Sequence, residues 1–361
     1  SQRFPKNEVI EGVNVFRVPF SSFGKSNLPV RLAGALSFSL QSTLHAVLEH
    51  RPDVILVSTS PPMCSAVGAL VARLRKVPLV YWVMDLNPDE IIAMGDLGKH
   101  HPAVHVMHAL NHVTLHDAKA VIALDDFMAE RLIAKGTDRA RLHVVPPWPL
   151  DNYVEPVPHA DNPFRKQHNL DGRTVFTFSG NMSRASPLTT FIDAAAKLRH
   201  RDDVRFMFIG GGSGKAEVET RKKRDNLPNV IVLPYQPLEQ LRYSLSAADV
   251  HLVTLGDPMV GIIHPCKVYG AMAVARPVLY MGPKPSHIAA ILEAHDVGWH
   301  VRHGDVAGTV SAIENIAALP KSDLEKKGST ARKIVTQDFS MAQLCGRLCN
   351  VILDVARKEA S

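Results

Sequence analysis

Short apolar segments that read as β-strands alternate with helical segments along almost the whole chain. This alternation is typical of parallel sheets that are covered by helices on both faces. At 361 residues the chain is longer than one hydrophobic core usually serves, so we expect two doubly wound α/β domains. The predicted strands lie near residues 13–19, 54–58, 79–84, 120–124 and 142–145, and then near 175–179, 205–209, 230–233, 250–254, 278–280 and 298–301.

Between the two sets of strands, residues 146–171 are dense in Pro, Asn and Asp (PPWPLDNYVEPVPHADNPFRKQHNLD). Such a stretch can continue neither a helix nor a central strand, so it reads as an interdomain linker. We therefore predict a first domain at residues 1–150, a linker at 151–172 and a second domain at 173–340. Ligands of open parallel sheets bind beyond the carboxyl ends of the strands, which predicts a substrate in the cleft between the domains.

Charge and composition limit the class of partner. The net charge of +6 suits an anionic substrate or an anionic lipid surface. Nucleic acid is not expected, because the one dense basic run, RKKR at 221–224, lacks the interleaved aromatic residues of a stacking surface. No apolar run reaches the roughly 18 residues of a membrane span.

Cysteine and histidine spacing predicts neither disulfides nor a metal site. The four cysteines, at 64, 266, 345 and 349, have no ribbon-like or finger-like pairing, which favours reduced thiols in a cytosolic protein. The histidines between positions 100 and 112 read as one polar helix face, and no metal-ligand set stands out among the 18 in the chain.

The strongest candidate site lies in residues 249–283, where a strand is followed by a loop ending in His-Pro-Cys-Lys, a small-residue helix and another strand. Proline suits the first turn of a helix, and the free amides there favour an anion. Lys267 adds a full positive charge. We therefore expect a diphosphate at this position, with Gly261, His264 and Cys266 lining it.

Three further strand ends could line the same cleft. In FSGNMSR (178–184), Gly180 and Asn181 would let a ligand approach the backbone and Arg184 could grip a phosphate; an ordinary strand-to-helix loop is the alternative. In IGGGSGK (209–215) neither a dinucleotide fingerprint nor a P-loop is complete, which leaves a tight turn that includes Gly211. LPYQP (233–237) ends another strand with Tyr235 and Gln236, whose backbone could pair with a base edge, and Pro237 follows them in the same candidate binding segment.

In the first domain, STSPP (58–62) and DLNPDE (85–90) follow apolar strands. Carboxylates such as Asp85 at a cleft could be catalytic, as in glycoside hydrolysis, or they could cap helices. Residues 28–48 carry an apolar helical stripe at 32, 36, 40, 44, 47 and 48. This helix could pack on the first sheet, or it could insert partly into a membrane interface beside Lys25 and Arg31.

Taken in order, these motifs resemble the retaining family-4 glycosyltransferases of the GT-B fold, and within them the bacterial branch that builds surface polysaccharides, of fucosamine- or colanic-acid-transferase type. The matching segments span nearly the whole chain: STSPP, VYWVMDLNPDE, IALDDFMAERLIAKG, VVPPWPLD, FSGNMS, FIGGGS, LPYQP, AADVHLVTL and HPCKVYGAMAVARPVLY. The resemblance implies two Rossmann-like domains with the active site in the interdomain cleft, and a C-terminal helix at 341–358 that packs back on the first domain.

The resemblance also implies roles for single residues. Gly180 and Asn181 would approach the diphosphate of a nucleotide-sugar donor, and Lys267 would neutralise it. Tyr235 and Gln236 would lie beside the base. Asp85 would face the sugar and the acceptor.

The chain departs from the family pattern at two places. The family commonly has a Glu-x7-Glu pair whose second glutamate holds the ribose hydroxyls and whose first lies near the donor sugar, and the matching positions here are Gly270 and Ile262. The glycine-containing first strand and loop of the family have no match before residues 9–20 (VIEGVNVFRVPF), so we expect that this segment is either truncated or unresolved.

We therefore predict a retaining transferase that moves a sugar, most plausibly from a UDP donor, to a hydroxyl of a saccharide or lipid-linked acceptor. Lys267, Arg184 and helix amides would stabilise the leaving diphosphate, which can itself take the acceptor proton. No metal or other cofactor is expected. The predicted location is cytoplasmic, with peripheral binding to the inner membrane face. Two alternatives stay open: a non-catalytic sugar-nucleotide-binding partner, and an NAD-dependent oxidoreductase, which the broken fingerprint disfavours.

Overall fold

The computed structural model describes residues 4–19, 28–60, 64–149 and 154–360. Lys25, Pro61, Pro62 and the linker residues 151–153 therefore lie outside the described residues, as does the side chain of Arg31. Within the described ranges the chain forms two parallel sheets and one separate antiparallel hairpin.

The hairpin differs from the sequence prediction, which placed a strand of the first domain at 13–19. The two strands β1 (Asn7–Ile10) and β2 (Val13–Phe16) pair only with each other, in antiparallel register. Glu11 and Gly12 between them both have positive φ, 50° and 84°, as a two-residue hairpin turn of the favoured twist requires. A short local pairing therefore replaces the predicted parallel strand.

The first parallel sheet has the strand order β3-β4-β5-β6. Its strands are β3 (Ile55–Ser58), β4 (Leu79–Trp82), β5 (Ala120–Ala123) and β6 (Leu142–Val144). β5 is buried along its whole length, as expected for a strand covered on both faces. The helices of this half are α1 (Leu28–Leu48), α2 (Cys64–Arg75), α3 (Asp89–Ala93), α4 (Pro102–Asp117) and α5 (Asp126–Ala134).

The second parallel sheet has six strands in the order β12-β11-β10-β7-β8-β9. Its strands are β7 (Thr174–Asn181), β8 (Val204–Gly211), β9 (Val230–Leu233), β10 (Val250–Thr254), β11 (Val278–Met281) and β12 (Gly298–Val301). Its helices are α6 (Pro163–Gln167), α7 (Thr189–Lys197), α8 (Lys215–Arg224), α9 (Leu241–Ser246), α10 (Lys267–Ala273), α11 (His287–Ala294), α12 (Val306–Ala317) and α13 (Lys321–Asp338). Separate hydrophobic cores fill its two faces, so the prediction of doubly wound α/β domains is confirmed.

The strand order places a topological switch point between β7 and β10. From β7 the chain proceeds to β8 and β9 on one side, and then crosses to β10 on the other. The loops that follow β7 and β10 diverge here, and such a crevice is the usual ligand position of an open α/β sheet. This position contains both FSGNMSR and the loop that leads to Lys267.

The last helix, α14 (Met341–Ala360), leaves the second sheet and packs on the first. Its Leu344 and Leu348 share a core with Val80 of β4 and Ile122 of β5. The C-terminus therefore ties the two halves together on the face of the first sheet opposite α5.

Arg165 anchors the segment that precedes β7. Its side chain is only 2% exposed and forms an ion pair with Asp249 at 3.3 Å. Its guanidinium also donates to the carbonyls of Ala247 and Leu170, both at 2.6 Å. Asp249 accepts a further hydrogen bond from the Val175 amide at 2.9 Å, so one buried charge pair joins α6, β7 and the start of β10.

We predict that Asp249→Asn lowers the free energy of unfolding by about 3–5 kcal/mol, because it removes the buried counter-charge of Arg165 and leaves only Asp171, which is 65% exposed and 3.7 Å from Nε. Chemical denaturation of the intact chain measures this. The matched control is Asp202→Asn, since the Asp202 side chain is fully exposed and 4.0 Å from its arginine. Equal stability of the two variants would contradict the anchoring role of Arg165.

Candidate active site

The floor of the site is built by glycines at the carboxyl ends of β7 and β8. These strands stay paired up to Asn181 opposite Gly211. Gly180 and Gly210 both have a φ of +137°, and a Cβ on Gly210 would lie 2.0 Å from the Gly180 carbonyl oxygen. Only glycine allows the two backbones to approach this closely.

Lys267 lies on this floor. A Cβ on Gly180 would stand 2.6 Å from its Cε atom, so the glycine leaves the space that the lysine side chain occupies. The ammonium lies 5.1 Å from the centroid of the Phe178 ring, and burial lowers the pKa of Lys267. Among the described residues no carboxylate forms an ion pair with it. The arrangement is therefore a half-buried cation without an anion.

The LPYQP segment contributes to the same edge. The Tyr235 ring packs over Gly211, where a Cβ would be 2.9 Å from its Cε2 atom, and the residue remains 60% exposed. The Gln236 amide donates to the Pro234 carbonyl at 2.9 Å, and Pro237 precedes a short 3-10 turn. The exposed ring next to the glycine floor could take a planar group.

The loop before Lys267 is docked on the first domain. Ile262 is 3% exposed and belongs to the core of the first sheet, and its carbonyl accepts from the Leu86 amide at 2.8 Å. Gly261 has a φ of +69°, and a Cβ there would be 2.5 Å from the Phe127 carbonyl oxygen. In this closed arrangement the two domains contact each other through the loop itself.

Asp85 forms an isolated antiparallel bridge with Ile263, which brings it to the cleft. Its amide donates to the Thr59 hydroxyl at 3.1 Å, and burial raises the pKa of its carboxyl group. Burial, together with the charges of Asp85 and Asp96, also raises the pKa of Glu90. The first-domain side of the cleft is therefore acidic.

Arg184 contacts the first domain. Its guanidinium crosses to the first domain, where it forms an ion pair with Asp96 and donates to the Met94 carbonyl at 3.3 Å. A groove of about 530 Å³ opens beside it, lined by Ala93 and Met94 of the first domain and by the N-terminal ends of α7 and α12 of the second. A contact of Arg184 with phosphate stays a prediction, and it requires Arg184 to leave Asp96.

His264 and Cys266 have different environments, although they are two residues apart. The His264 side chain is buried, with Nδ1 2.7 Å from Asp125 and Nε2 2.9 Å from the Tyr269 hydroxyl. Cys266 is exposed, and its thiol donates to the His264 carbonyl at 3.3 Å. Of the two, only Cys266 is open to a ligand.

Sequence reasoning missed the partners of His264. Asp125 lies in ALDDFM, where it caps α5 by accepting from the Met128 amide at 2.8 Å. The capping role of Asp125 could have been predicted from the sequence. Its second bond, to a residue 139 positions later, could not.

Gly270 lies on α10, three positions after Lys267. A Cβ there would meet only Leu245, at an ordinary 3.8 Å. Position 270, which the resemblance matches to the family's ribose-binding glutamate, therefore has space for a Cβ.

Comparisons with known proteins agree with this geometry. The model of the glycosyl transferase 4-like domain matches residues 1–148, and that of the glycosyl transferases group 1 matches residues 173–318. WbjE of Pseudomonas aeruginosa, named as a glycosyltransferase, is 28% identical over 306 residues, which is 85% of this chain and 75% of that protein. WcaI of Escherichia coli (strain K12), named for glycosyl transfer in colanic acid biosynthesis, is 24% identical over 314 residues, which is 85% of this chain and 77% of that protein.

Two solved structures show the same fold. Sucrose-phosphate synthase of Thermosynechococcus elongatus has a TM-score of 0.76 at 17% identity and covers 99% of this chain and 87% of its own. Anabaena Alr3699/HepE, in complex with UDP-glucose, has a TM-score of 0.71 at 18% identity and covers 88% of this chain and 82% of its own. With a glycosyl transferase 4-like domain followed by a group 1 domain on two Rossmann-like sheets, the chain belongs to the GT-B glycosyltransferases.

Proposed function

We propose that the protein transfers a sugar from a UDP-sugar to a hydroxyl of a saccharide acceptor, with retention of configuration. The observation that carries this proposal is Lys267, a half-buried cation on a glycine floor with no carboxylate partner among the described residues. A diphosphate supplies the charge that Lys267 lacks, and the glycines let it approach the backbone. HepE, which shares the fold, binds UDP-glucose, and this supports a UDP donor here.

In the proposed reaction the bond between the anomeric carbon and the diphosphate oxygen breaks, and the acceptor oxygen bonds to that carbon on the same face. The acceptor proton passes to the leaving diphosphate. Lys267 stabilises the negative charge that grows on the leaving group, which is where preorganised charge lowers a barrier most. No metal or other cofactor enters the proposal.

The remaining donor contacts follow from position. Asn181 and Gly211 lie at the ends of the paired strands, beside Gly180. The exposed Tyr235 ring is proposed to stack on the uracil, and the Gln236 segment to pair with its edge. Asp85, at the bridge to Ile263, is proposed to face the sugar and the acceptor.

The proposed acceptor is a lipid-linked precursor of a surface polysaccharide. The name of WcaI, which places that relative in colanic acid biosynthesis, supports this choice. Such an acceptor would place the protein at the cytoplasmic membrane face.

An apolar stripe on α1 supports membrane contact. Leu36, Leu40, Leu44 and Leu48 follow one another at helical spacing and are 55–83% exposed, so this face does not pack on the first sheet. Beside its C-terminal end, Arg75 donates to the Val47 carbonyl, which places basic groups next to leucines. Within the described residues no helix is long and apolar enough to cross a membrane. We propose that this face lies on an anionic lipid surface.

Lys267→Ala should cost about 2.7–4 kcal/mol in the barrier to transfer, or roughly 100- to 1000-fold in turnover, by analogy with the loss of one preorganised donor. Folding should hardly change. Release of UDP from UDP-sugars in the presence of a saccharide acceptor measures turnover. The control is Lys284→Ala, which removes a partly exposed lysine paired with Glu293 in the same domain. Unaltered turnover of the Lys267 variant would place the diphosphate elsewhere.

Because Gly270 has no side chain, UDP should bind less than about 10-fold more tightly than 2′-deoxy-UDP, whereas a site built to bind a hydroxyl rejects the deoxy analogue by about 10⁴. Gly270→Glu has space for its Cβ and should raise this preference by about 10-fold or more, since it adds a charge-assisted hydrogen bond. Calorimetry measures both affinities, with Gly270→Gln as the uncharged control. A large preference for UDP in the unaltered protein would show that another group holds the ribose.

The double variant Leu40→Gln/Leu44→Gln should sediment less with vesicles of phosphatidylcholine and phosphatidylglycerol in equal parts, because each buried leucine contributes about 1.5–3 kcal/mol. The control is Leu238→Gln/Leu353→Gln, which changes two exposed leucines elsewhere. Less protein should sediment with vesicles of phosphatidylcholine alone, both for the unaltered protein and for the two double variants. Equal sedimentation of both double variants would show that this face of α1 does not contact the membrane.

A further inference from the structure

A buried chain of hydrogen bonds runs from the first domain into the second. Asp125 at the start of α5 lies 2.7 Å from His264 Nδ1, and His264 Nε2 lies 2.9 Å from the Tyr269 hydroxyl. The same hydroxyl lies 2.9 Å from Nε2 of His287, the first residue of α11. The mechanism proposed above uses none of these four side chains.

The donors and acceptors in this chain match without a gap. Asp125 Oδ1 already accepts from the Met128 amide, so Oδ2 is the oxygen left for His264. With His264 neutral, its Nδ1–H donates to Asp125 and its Nε2 accepts from the Tyr269 hydroxyl. That hydroxyl accepts in turn from the Nε2–H of His287, because burial lowers the pKa of His287 to about 4 and keeps its ring neutral.

This chain of hydrogen bonds includes residues on both sides of Lys267 in the sequence. His264 lies three residues before Lys267 in the docked loop, and Tyr269 lies two residues after it on α10. Asp125, in contrast, belongs to the first domain and is fixed there by its cap bond to α5. A shift of the second domain away from the first would break the Asp125 to His264 bond, and hydrogen bonds to charged groups are among the stronger ones.

We propose that His264 is a positioning residue, which sets Lys267 in register with the first domain when the cleft is closed. Binding of the nucleotide needs the second domain alone and does not depend on His264. Transfer needs groups of both domains, and it therefore does. This inference rests on the role proposed for Lys267.

Two substitutions of His264 separate its two bonds. An asparagine amide nitrogen stands near the place of Nδ1, so His264→Asn keeps a donor to Asp125 and loses Tyr269. A glutamine amide stands near the place of Nε2, so His264→Gln keeps a partner for Tyr269 and loses Asp125. We expect His264→Gln to lower kcat about 10-fold or more, the usual effect of losing a hydrogen bond to a charged group, and His264→Asn to retain most of it.

Affinity and exchange give readouts that a general loss of structure would not reproduce. UDP should bind both variants with unchanged affinity in calorimetry. The Leu86 amide donates to the Ile262 carbonyl across the domains, so its hydrogen exchange reports opening of the cleft. In His264→Gln this exchange should become about 10-fold faster, while the amides of β10 stay protected.

Tyr269→Phe and Tyr280→Phe form a matched pair. Both remove a buried tyrosine hydroxyl in the second domain, but Tyr280 bonds to Ser286 and lies off the chain. Tyr269→Phe keeps the bond between His264 and Asp125, as His264→Asn does, so both tyrosine variants should retain most of kcat and leave exchange at Leu86 slow. A loss of kcat in Tyr269→Phe as large as in His264→Gln, or equal effects of His264→Asn and His264→Gln, would overturn the proposal.

The experiments distinguish failure of the proposed diphosphate site at Lys267 from failure of the positioning role of His264. If Lys267→Ala leaves turnover unchanged, the proposed diphosphate site is wrong, whatever the His264 variants do. If Lys267→Ala lowers turnover but His264→Gln keeps full kcat with unchanged exchange at Leu86, the diphosphate site stands and the positioning role of His264 is wrong. Loss of UDP affinity in His264→Gln would also overturn it, because the chain would then serve nucleotide binding.

Discussion

The candidate active site depends on the close approach of β7 and β8 at their carboxyl ends. Glycines at 180 and 210 let the strands stay paired to their last residues, and the missing Cβ of Gly180 opens the space that Lys267 fills. A buried ammonium loses hydration, which is why its pKa falls. The face of Phe178 offsets part of this cost, by roughly 0.5–2 kcal/mol for a cation over a ring. A diphosphate would offset far more, since it returns a full opposite charge.

The apolar residue at position 262, which the resemblance matches to the family's first glutamate, has a structural reason in the closed cleft. Ile262 lies in the core of the first domain. Burial of such a side chain contributes about 1.5–3 kcal/mol, whereas a carboxylate there would lose its hydration. The apolar residue therefore favours contact between the domains. Asp85, bridged to the neighbouring Ile263, is the acidic group that the first domain brings to that part of the cleft.

The sequence predicted those features that depend on local pattern. Alternating apolar segments predicted two doubly wound domains, and glycines at strand ends predicted which loops would meet, because the carboxyl ends of parallel strands share one edge. The hairpin at residues 7–16 was missed, because a two-residue turn with positive φ at Glu11 gives no periodic signal. The partners of Arg184 and His264 were missed for another reason, since they lie 88 and 139 positions away in the chain. Pairs at such separations are set by how the domains dock.

The Arg184–Asp96 and His264–Asp125 pairs both join the two domains across the cleft, but they contribute unequally to stability. This difference in stability distinguishes their roles. Arg184 and Asp96 are 58% and 44% exposed, and a surface ion pair of this kind contributes about 0–1 kcal/mol. Arg184 can therefore exchange Asp96 for a phosphate at little cost, which leaves its predicted role physically open. His264 and Asp125 are buried, and a hydrogen bond to a charged group in such a place contributes about 1.5–3 kcal/mol. Of these two pairs, only the His264–Asp125 pair can fix the domains in register while the proposed donor at Lys267 reacts.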